Sequence, residues 1–450
     1  MYRDDHGMPH IEAQSETAAW YALGYEQARD ALLFIQVACK AAKGELSWIR
    51  GAGGLFNDMA VGVSQSYSRL AGMSVANRRA MFTPSTPLQG HFYDNCEAFA
   101  AGADAFRQAV QSATANSPAA LWQLREWLRL NSIGAQPSGA WVYTDPITTL
   151  DILAQGGWTA AIMSFQWPLP MVNSHGDSYG FQSSGTAPVE PAPEGDDPLS
   201  PDHVRRLMES MKQQLSQLPG APSAFTGSNT FAWTGMYCQD PPPSSGHRTQ
   251  YPGLLGDPHQ GIPSWAPLFN FGFNLVPNHL WFAHVKVTPP GAPQPTLDCM
   301  GHVPHAAAAF FTGHNRNLAM GGTMGGPNHF DQFLLRLEED PVTGFRVGNP
   351  GAFYSYYAAG SGSNSTYQAL TPRNVTIKKH NSTTPLQVPY WEAGRFGVVL
   401  PTEVSVKDLY DNGTPAALPV VYGERAGPGV TSQPAWRVGV PMPANRMRFW

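Results

Sequence analysis

Residues 226–235 read TGSNTFAWTG, and the serine in this stretch is where the chain first offers chemistry. A serine hydroxyl is a poor nucleophile until a base takes its proton. Two readings of Gly227-Ser228-Asn229 compete. One is a turn, since Gly and Asn both tolerate positive φ and Ser hydrogen-bonds its own backbone. The other makes Ser228 the first residue of a new chain, freed when the bond after Gly227 breaks. The three residues alone favour the turn, and their surroundings have to decide.

Other residue types offer less. Zinc needs three or four converging ligands, and no spacing among the 14 histidines proposes them. His10 and His314 read as packing or hydrogen-bonding residues, and His6, His302, His305 and His329 as surface or core histidines. Cys39, Cys96, Cys238 and Cys299 form no CxxC pair, so neither a metal motif nor a redox motif is supported. One or two disulfides and buried free thiols both stand as readings. Sequons at Asn364, Asn374, Asn381 and Asn412 are no more than a chain rich in Asn, Ser and Thr makes by chance.

The elements that must position such residues follow from composition and pattern. With 42% hydrophobic residues a substantial core forms, while only 14% charged residues and 45 Gly with 41 Pro describe a loop- and strand-rich protein. A net charge of −5 without a basic run excludes nucleic acid as a partner. No apolar run reaches the roughly 18–20 residues of a membrane span. Arg3-Asp4-Asp5 follows Met1 almost at once, so no signal peptide is expected in this chain.

The opening YRDDHGMPHIEAQS reads as strand, Gly-containing turn and strand. A helix capped by Ser15 follows, with Trp20, Leu23, Ala28, Ala31, Ile35 and Cys39 at helical spacing and Gly44 as its stop. A second helical region covers 93–131, with Phe99, Ala103, Phe106 and Val110 on one face and Leu121, Leu124, Trp127 and Leu128 continuing after a break near Ser117-Pro118. Residues 183–203, SSGTAPVEPAPEGDDPLSPDH, are polar, acidic and Pro-rich and read as an exposed linker, followed by an amphipathic helix over 204–218. Beyond Ser228 short apolar runs such as LWFAHVKV (280–287) and FGVVL (396–400) between Gly and Pro read as strands.

Five segments in order carry a resemblance: RDDHGMPHIEAQSETAAWYALGYEQARD (3–30), the Pro-rich spacer, GSNTFAW (227–233), GLLGDPHQGIPSW (253–265) and GHNRNLAMGGTMGGPNHFDQF (313–333). Together they resemble the penicillin acylase family of N-terminal-nucleophile hydrolases over about 1–335, with Arg29 where that family usually has Gln. The resemblance reverses the reading of Ser228. It implies an α+β fold, the four-layer αββα sandwich, incomplete at the C-terminus. It divides the chain into a small-chain segment (1–182), a spacer (183–227) and the start of a large chain (228–450).

The implied chemistry is autocatalytic. The Ser228 hydroxyl attacks the Gly227 carbonyl, the acyl group shifts to an ester, and water releases a new N-terminus whose amine, with an ordinary pKa near 8, serves as the base. Met324 maps onto the position whose backbone N–H faces the oxyanion, His259 onto the one that holds the new N-terminus, and Asn229 onto a supporting strand-pairing residue. Asn328 and Asp331 resemble a calcium-ligand region, but two oxygens are fewer than calcium takes, so a solvated or helix-capping Asp331 is expected and no cofactor is required. Substrates of the family are N-acylated small molecules: penicillins, cephalosporin derivatives, N-acyl-homoserine lactones and acylated lipopeptides. The Asp-Pro-His segment is more like the last two. Family resemblance also implies a periplasmic or secreted protein of two chains cut from one precursor.

Departures from the pattern set up a rival. Family members continue for several hundred residues after the nucleophile, supplying an Asn oxyanion donor and a nearby Arg, whereas this chain ends at Trp450, and Asn445-Arg446 do not align to that site. Gln260 stands where many members place a Phe of the acyl pocket. The rival is a truncated homologue that has lost the reaction and serves as a binding or surface protein. The intact Gly227-Ser228-Asn229 counts against it.

Overall fold

The computed structural model describes residues 1–82, 91–131, 137–164, 228–233, 253–258, 281–321, 333–337, 355–357, 367–369, 371–392, 398–401, 403–413 and 435–440. Its helices are α1 (Glu16–Lys43), α2 (Leu46–Arg50), α3 (Leu55–Ser64), α4 (Ser66–Gly72), α5 (Val75–Met81), α6 (Phe92–Ser112), α7 (Ala119–Leu130), α8 (Trp141–Thr144), α9 (Thr149–Ser164) and a last helix Glu403–Asn412. Its strands are β1 (Tyr2–Arg3), β2 (Pro9–Ala13), β3 (Ser228–Trp233), β4 (Gly253–Pro258), β5 (Phe282–Val287), β6 (Leu297–His302), β7 (Thr312–Asn315), β8 (Ala319–Met320), β9 (Phe333–Leu337), β10 (Ser355–Tyr357), β11 (Tyr367–Ala369), β12 (Thr371–Ile377), β13 (Leu386–Glu392), β14 (Val398–Val399) and β15 (Ala435–Val440). This is a mixed α+β protein.

The chain divides into two compact units. One gathers Met1–Lys43, Tyr67–Gly157 and Pro222–Pro327; the other gathers Gly44–Ser66, Trp158–Ala221 and Asn328–Trp450. Each therefore draws on sequence from both sides of Ser228.

In the first unit, six strands pair in the order β1-β2-β5-β6-β7-β8, with β2 and β5 parallel and the rest antiparallel. Period-two burial decides the faces. Ile11, Ala283, Val285 and Val287 are buried, while Phe282, His284 and Lys286 alternate with them on the other face. The buried face meets α1, whose apolar residues are Ala19, Leu23, Ala28 and Ile35. Ser15 caps α1 through its hydroxyl, which accepts the Ala18 N–H at 3.2 Å, and Gly44 ends it at a φ of +71°. Helix α6 crosses α1 backbone to backbone. A Cβ at Gly24 would land on the Phe99 carbonyl, and one at Gly102 on the Tyr21 carbonyl, so only glycine permits this approach.

The second helical region breaks where the sequence proposes, between Ser112 and Ala119. The continuation of its apolar face is only partly correct. In α7 Leu128 is buried, but Trp127 is 45% exposed.

In the second unit seven strands pair antiparallel in the order β11-β10-β9-β15-β14-β13-β12. One face packs on α3 and the helix Glu403–Asn412. Leu55, Met59, Val375, Ile377, Val388, Tyr390, Val406 and Leu409 form this core. Sequence reading missed α3, α9 and the last helix, although Thr148 and Asp151 form a reciprocal capping box at the start of α9.

Candidate active site

The strands of the GSNTFAW and GLLGDP segments pair with each other. β3 and β4 form an antiparallel ladder from Ser228 opposite Pro258 to Trp233 opposite Gly253, with Asn229 opposite Asp257. Ser228 is the first residue of its strand. Chain order then puts Gly227 immediately before that strand end and His259 immediately after the residue facing Ser228. The structure thus brings the two motif segments together in register. Gly227, His259, Met324, Asn328 and Asp331 themselves lie outside the described residues, as do the spacer and the helix expected over 204–218.

What the rest of the opening motif does is clear from its contacts. Arg3 is the hub of a polar latch: its guanidinium donates to Glu26 at 2.5 Å, to both oxygens of Asp30 at 3.0 Å each, and to the Gly7 carbonyl at 2.7 Å. Burial alone pulls the Arg3 guanidinium down, but Glu26 and Asp30 outweigh it and hold it above its ordinary value. Asp30 also accepts the Trp281 indole N–H at 2.8 Å, fastening β5 to α1. The buried Gln27 amide donates to the Val303 and Pro304 carbonyls and accepts the Ala306 N–H. Arg29, the departure from the family pattern, pairs with Glu26 at 3.2 Å and is 43% exposed. These residues fix the sheet and helix to each other.

The Gly-His-Asn segment is also scaffold. Gly313 faces Gly301 across β6 and β7, where a Cβ on either would strike the partner strand's backbone. The Asn315 side-chain oxygen accepts the N–H groups of Asn317 and Leu318 at 2.8 and 2.7 Å, closing the β7–β8 turn. That turn leads in the chain toward Met324.

The remaining histidines and cysteines sort as follows. His302 is buried between Phe282 and Phe311, and desolvation pushes it down to about 4, which keeps it neutral. His305 is buried and His6 exposed. Cys39, Cys96 and Cys299 are free thiols, while Cys238 lies outside the described residues. Desolvation raises the Cys96 thiol to about 12 and the Cys39 thiol well above its usual value, so neither is a nucleophile at neutral pH. Among the described residues no group of three or more His, Cys, Asp and Glu converges on a metal position, and no helix is long and apolar enough to cross a membrane.

Sequence reasoning missed one cluster. His10 and His284 meet across β2 and β5 with their Nδ1 atoms 3.0 Å apart. Only the pairing of residue 10 with residue 284 reveals it, and no local pattern encodes that pairing.

A family model described as penicillin amidase matches residues 1–436. No individual curated protein matches the chain.

Proposed function

The chain belongs to the penicillin amidase family, whose members are hydrolases of amide bonds, and on that footing we propose that it is an autoprocessed N-terminal-serine acylase with Ser228 as nucleophile. The observation that carries this reading is the β3–β4 register, which sets Ser228 at a strand start directly after Gly227 and opposite the residue that precedes His259. A strand start is where a newly made N-terminus can present both its amine and its hydroxyl.

In the first reaction the Ser228 hydroxyl adds to the Gly227 carbonyl, the C–N bond breaks in favour of an ester, and water hydrolyses that ester. Glycine suits position 227, because without a Cβ the carbonyl is open to approach. In the second reaction the freed α-amine takes the hydroxyl proton as Ser228 attacks the acyl carbon of a linear amide. The amine leaves, and water then releases the acyl group. The backbone N–H of Met324 donates to the developing oxyanion. A single such donor is worth on the order of 10²–10³ in rate. His259 holds the new N-terminus, and Asn229 fixes the strand that bears it.

The substrate is an N-acylated small molecule, with N-acyl-homoserine lactones and acylated lipopeptides favoured by the Asp-Pro-His segment at 257–259. No step requires a cofactor. Asn328 and Asp331 would give calcium too few oxygens unless others join them. The reading includes the four-layer sandwich, two chains divided at 227/228, and action outside the cytoplasm.

The test is intact mass of the purified protein beside Ser228→Ala. Expected are fragments of 227 and 223 residues, or a trimmed first one, with the variant uncut. An uncut wild-type chain would sink the assignment of Ser228 and leave the non-catalytic reading. A cut chain inactive on acyl lactones, lipopeptides and β-lactam amides alike would remove the substrate class while keeping the nucleophile.

A further inference from the structure

Four side chains on or beside the first sheet form a line that the acylase reading does not use. His10 on β2 and His284 on β5 stand in direct register, and their rings meet edge to face at 5.1 Å with Nδ1 facing Nδ1 at 3.0 Å. The other nitrogen of each ring faces a carboxylate. His284 Nε2 lies 2.8 Å from Asp298 Oδ1, and His10 Nε2 lies 3.4 Å from Asp4 Oδ2. Tyr2 stacks on His10 at 4.7 Å with the rings within 4° of parallel.

The tautomers follow from the partners. An ionised carboxylate only accepts, so a ring nitrogen that bonds to it must carry the proton. With the proton on Nε2 in both rings, a neutral imidazole has a bare lone pair on Nδ1. Two such lone pairs then sit at hydrogen-bond distance with no proton between them, and a cation held by both nitrogens would relieve their repulsion.

We propose that His10 and His284 form a two-imidazole chelate for a divalent first-row transition ion of the copper(II) or nickel(II) type, with Asp4 and Asp298 orienting the rings. Imidazole is a ligand that such ions favour, and a ligating histidine nearly always gives its other N–H to a carboxylate or carbonyl. With metal–nitrogen bonds of about 2.0–2.1 Å, a 3.0 Å separation sets an angle of roughly 91–97° at the metal. That is the cis angle of square-planar or octahedral ions and is tighter than the tetrahedral angle zinc prefers. The side chains of His10 and His284 are 15% and 23% exposed, which leaves an entry path and room for water to complete the coordination. Because the two ligands are 274 positions apart in sequence, the ion would tie the N-terminal hairpin to β5 and stabilise the native state by mass action.

The test uses the full-length protein, stripped with a chelator and titrated with copper(II) by calorimetry and electron paramagnetic resonance, then with nickel(II) in thermal unfolding. Expected is one equivalent of ion bound ahead of any weaker surface sites, a spectrum showing two nitrogen ligands, and a raised melting temperature. His284→Gln, which keeps an amide opposite Asp298, should lower affinity at least tenfold and abolish the thermal shift. Asp298→Asn, which keeps both ligands, should weaken binding by about 10–100-fold. His10→Gln should match His284→Gln; if it fails to fold, His284→Gln and Asp298→Asn decide. Binding by His284→Gln equal to wild type would overturn the proposal, as would an absence of binding, which would mean that the two rings share a proton. None of these outcomes depends on Ser228.

Discussion

Among the described residues each unit of the molecule buries one aspartate almost completely, and the two are compensated differently. In the first unit Asp151 is 0% exposed and bonds Lys43 Nζ at 2.8 Å, with the Thr148 N–H and hydroxyl on its other oxygen at 2.9 Å each. In the second unit Asp58 is 1% exposed and accepts neutral donors, the N–H groups of Leu46 and Ser47 at 2.8 Å and the Asn57 amide at 3.0 Å. The consequences diverge. Burial pulls the Lys43 ammonium down, yet Asp151 outweighs it and holds Lys43 well above its ordinary range. Desolvation wins at Asp58, whose carboxyl is raised from 3.8 to about 6 despite three donors. Dipoles satisfy the hydrogen bonds of the buried Asp58 carboxylate, but they do not offset its desolvation.

The largest effect should come from making the first site resemble the second. Lys43→Met leaves Asp151 with the Thr148 donors alone, as an uncompensated buried charge. Breaking one side of such a pair costs about 3–5 kcal/mol. The double variant Lys43→Met/Asp151→Leu should recover most of that, because it removes the stranded charge as well. Denaturant unfolding of the three proteins measures both. A single variant within 1 kcal/mol of wild type would break the comparison.

Next in size is a pH effect confined to the second unit. Asp58 has a folded value of about 6 against an unfolded value of 3.8, so the folded chain takes up the proton more readily. Its contribution is most favourable below about pH 4 and is lost as pH rises toward and through about 6. At 1.36 kcal/mol per unit the difference amounts to about 3 kcal/mol. Asp58→Asn should be less stable throughout, since its NH₂ now opposes backbone donors, yet it should lack this slope. Subtracting its unfolding profile from that of wild type between pH 4 and 7 isolates the titration. A flat difference would mean that Asp58 stays ionised and that the dipoles suffice after all.

How much of this was legible in advance depended on range. Ser15 and Gly44 bounded α1 correctly, and the alternation in FAHVKV gave β5, because caps and period-two burial are written in neighbouring residues. The order of the second sheet was not, since β9 pairs with β15 nearly a hundred residues on, and no local pattern announces such a partner. The exposed Trp127 shows the limit of periodicity, which gives a helix its apolar stripe but not the surface that covers it. For the candidate site, the resemblance set His259 at the new N-terminus, and the structure pairs β3 with β4, Ser228 lying opposite Pro258. His10 with His284 and the buried Asp58 were invisible for the same reason as β9 with β15. Each acquires its character from a partner or an environment that only the fold supplies.

The smallest effect probes how far the donors at Asp58 reach. Trp158 donates its indole N–H to the Asn57 side-chain oxygen at 2.7 Å, which orients the Asn57 amide toward Asp58. Trp158→Phe keeps most of the ring and removes that one bond, a loss of about 1 kcal/mol. The freed Asn57 amide then holds the carboxylate less firmly, so the Asp58 titration should move further up. The unfolding profile would show this as a slope extending to higher pH than in wild type. If stability falls by that amount while the slope stays in place, Trp158 serves packing alone. If the slope moves, the three donors act as one connected set, and the contrast with the Lys43–Asp151 pair is one of strength rather than of kind.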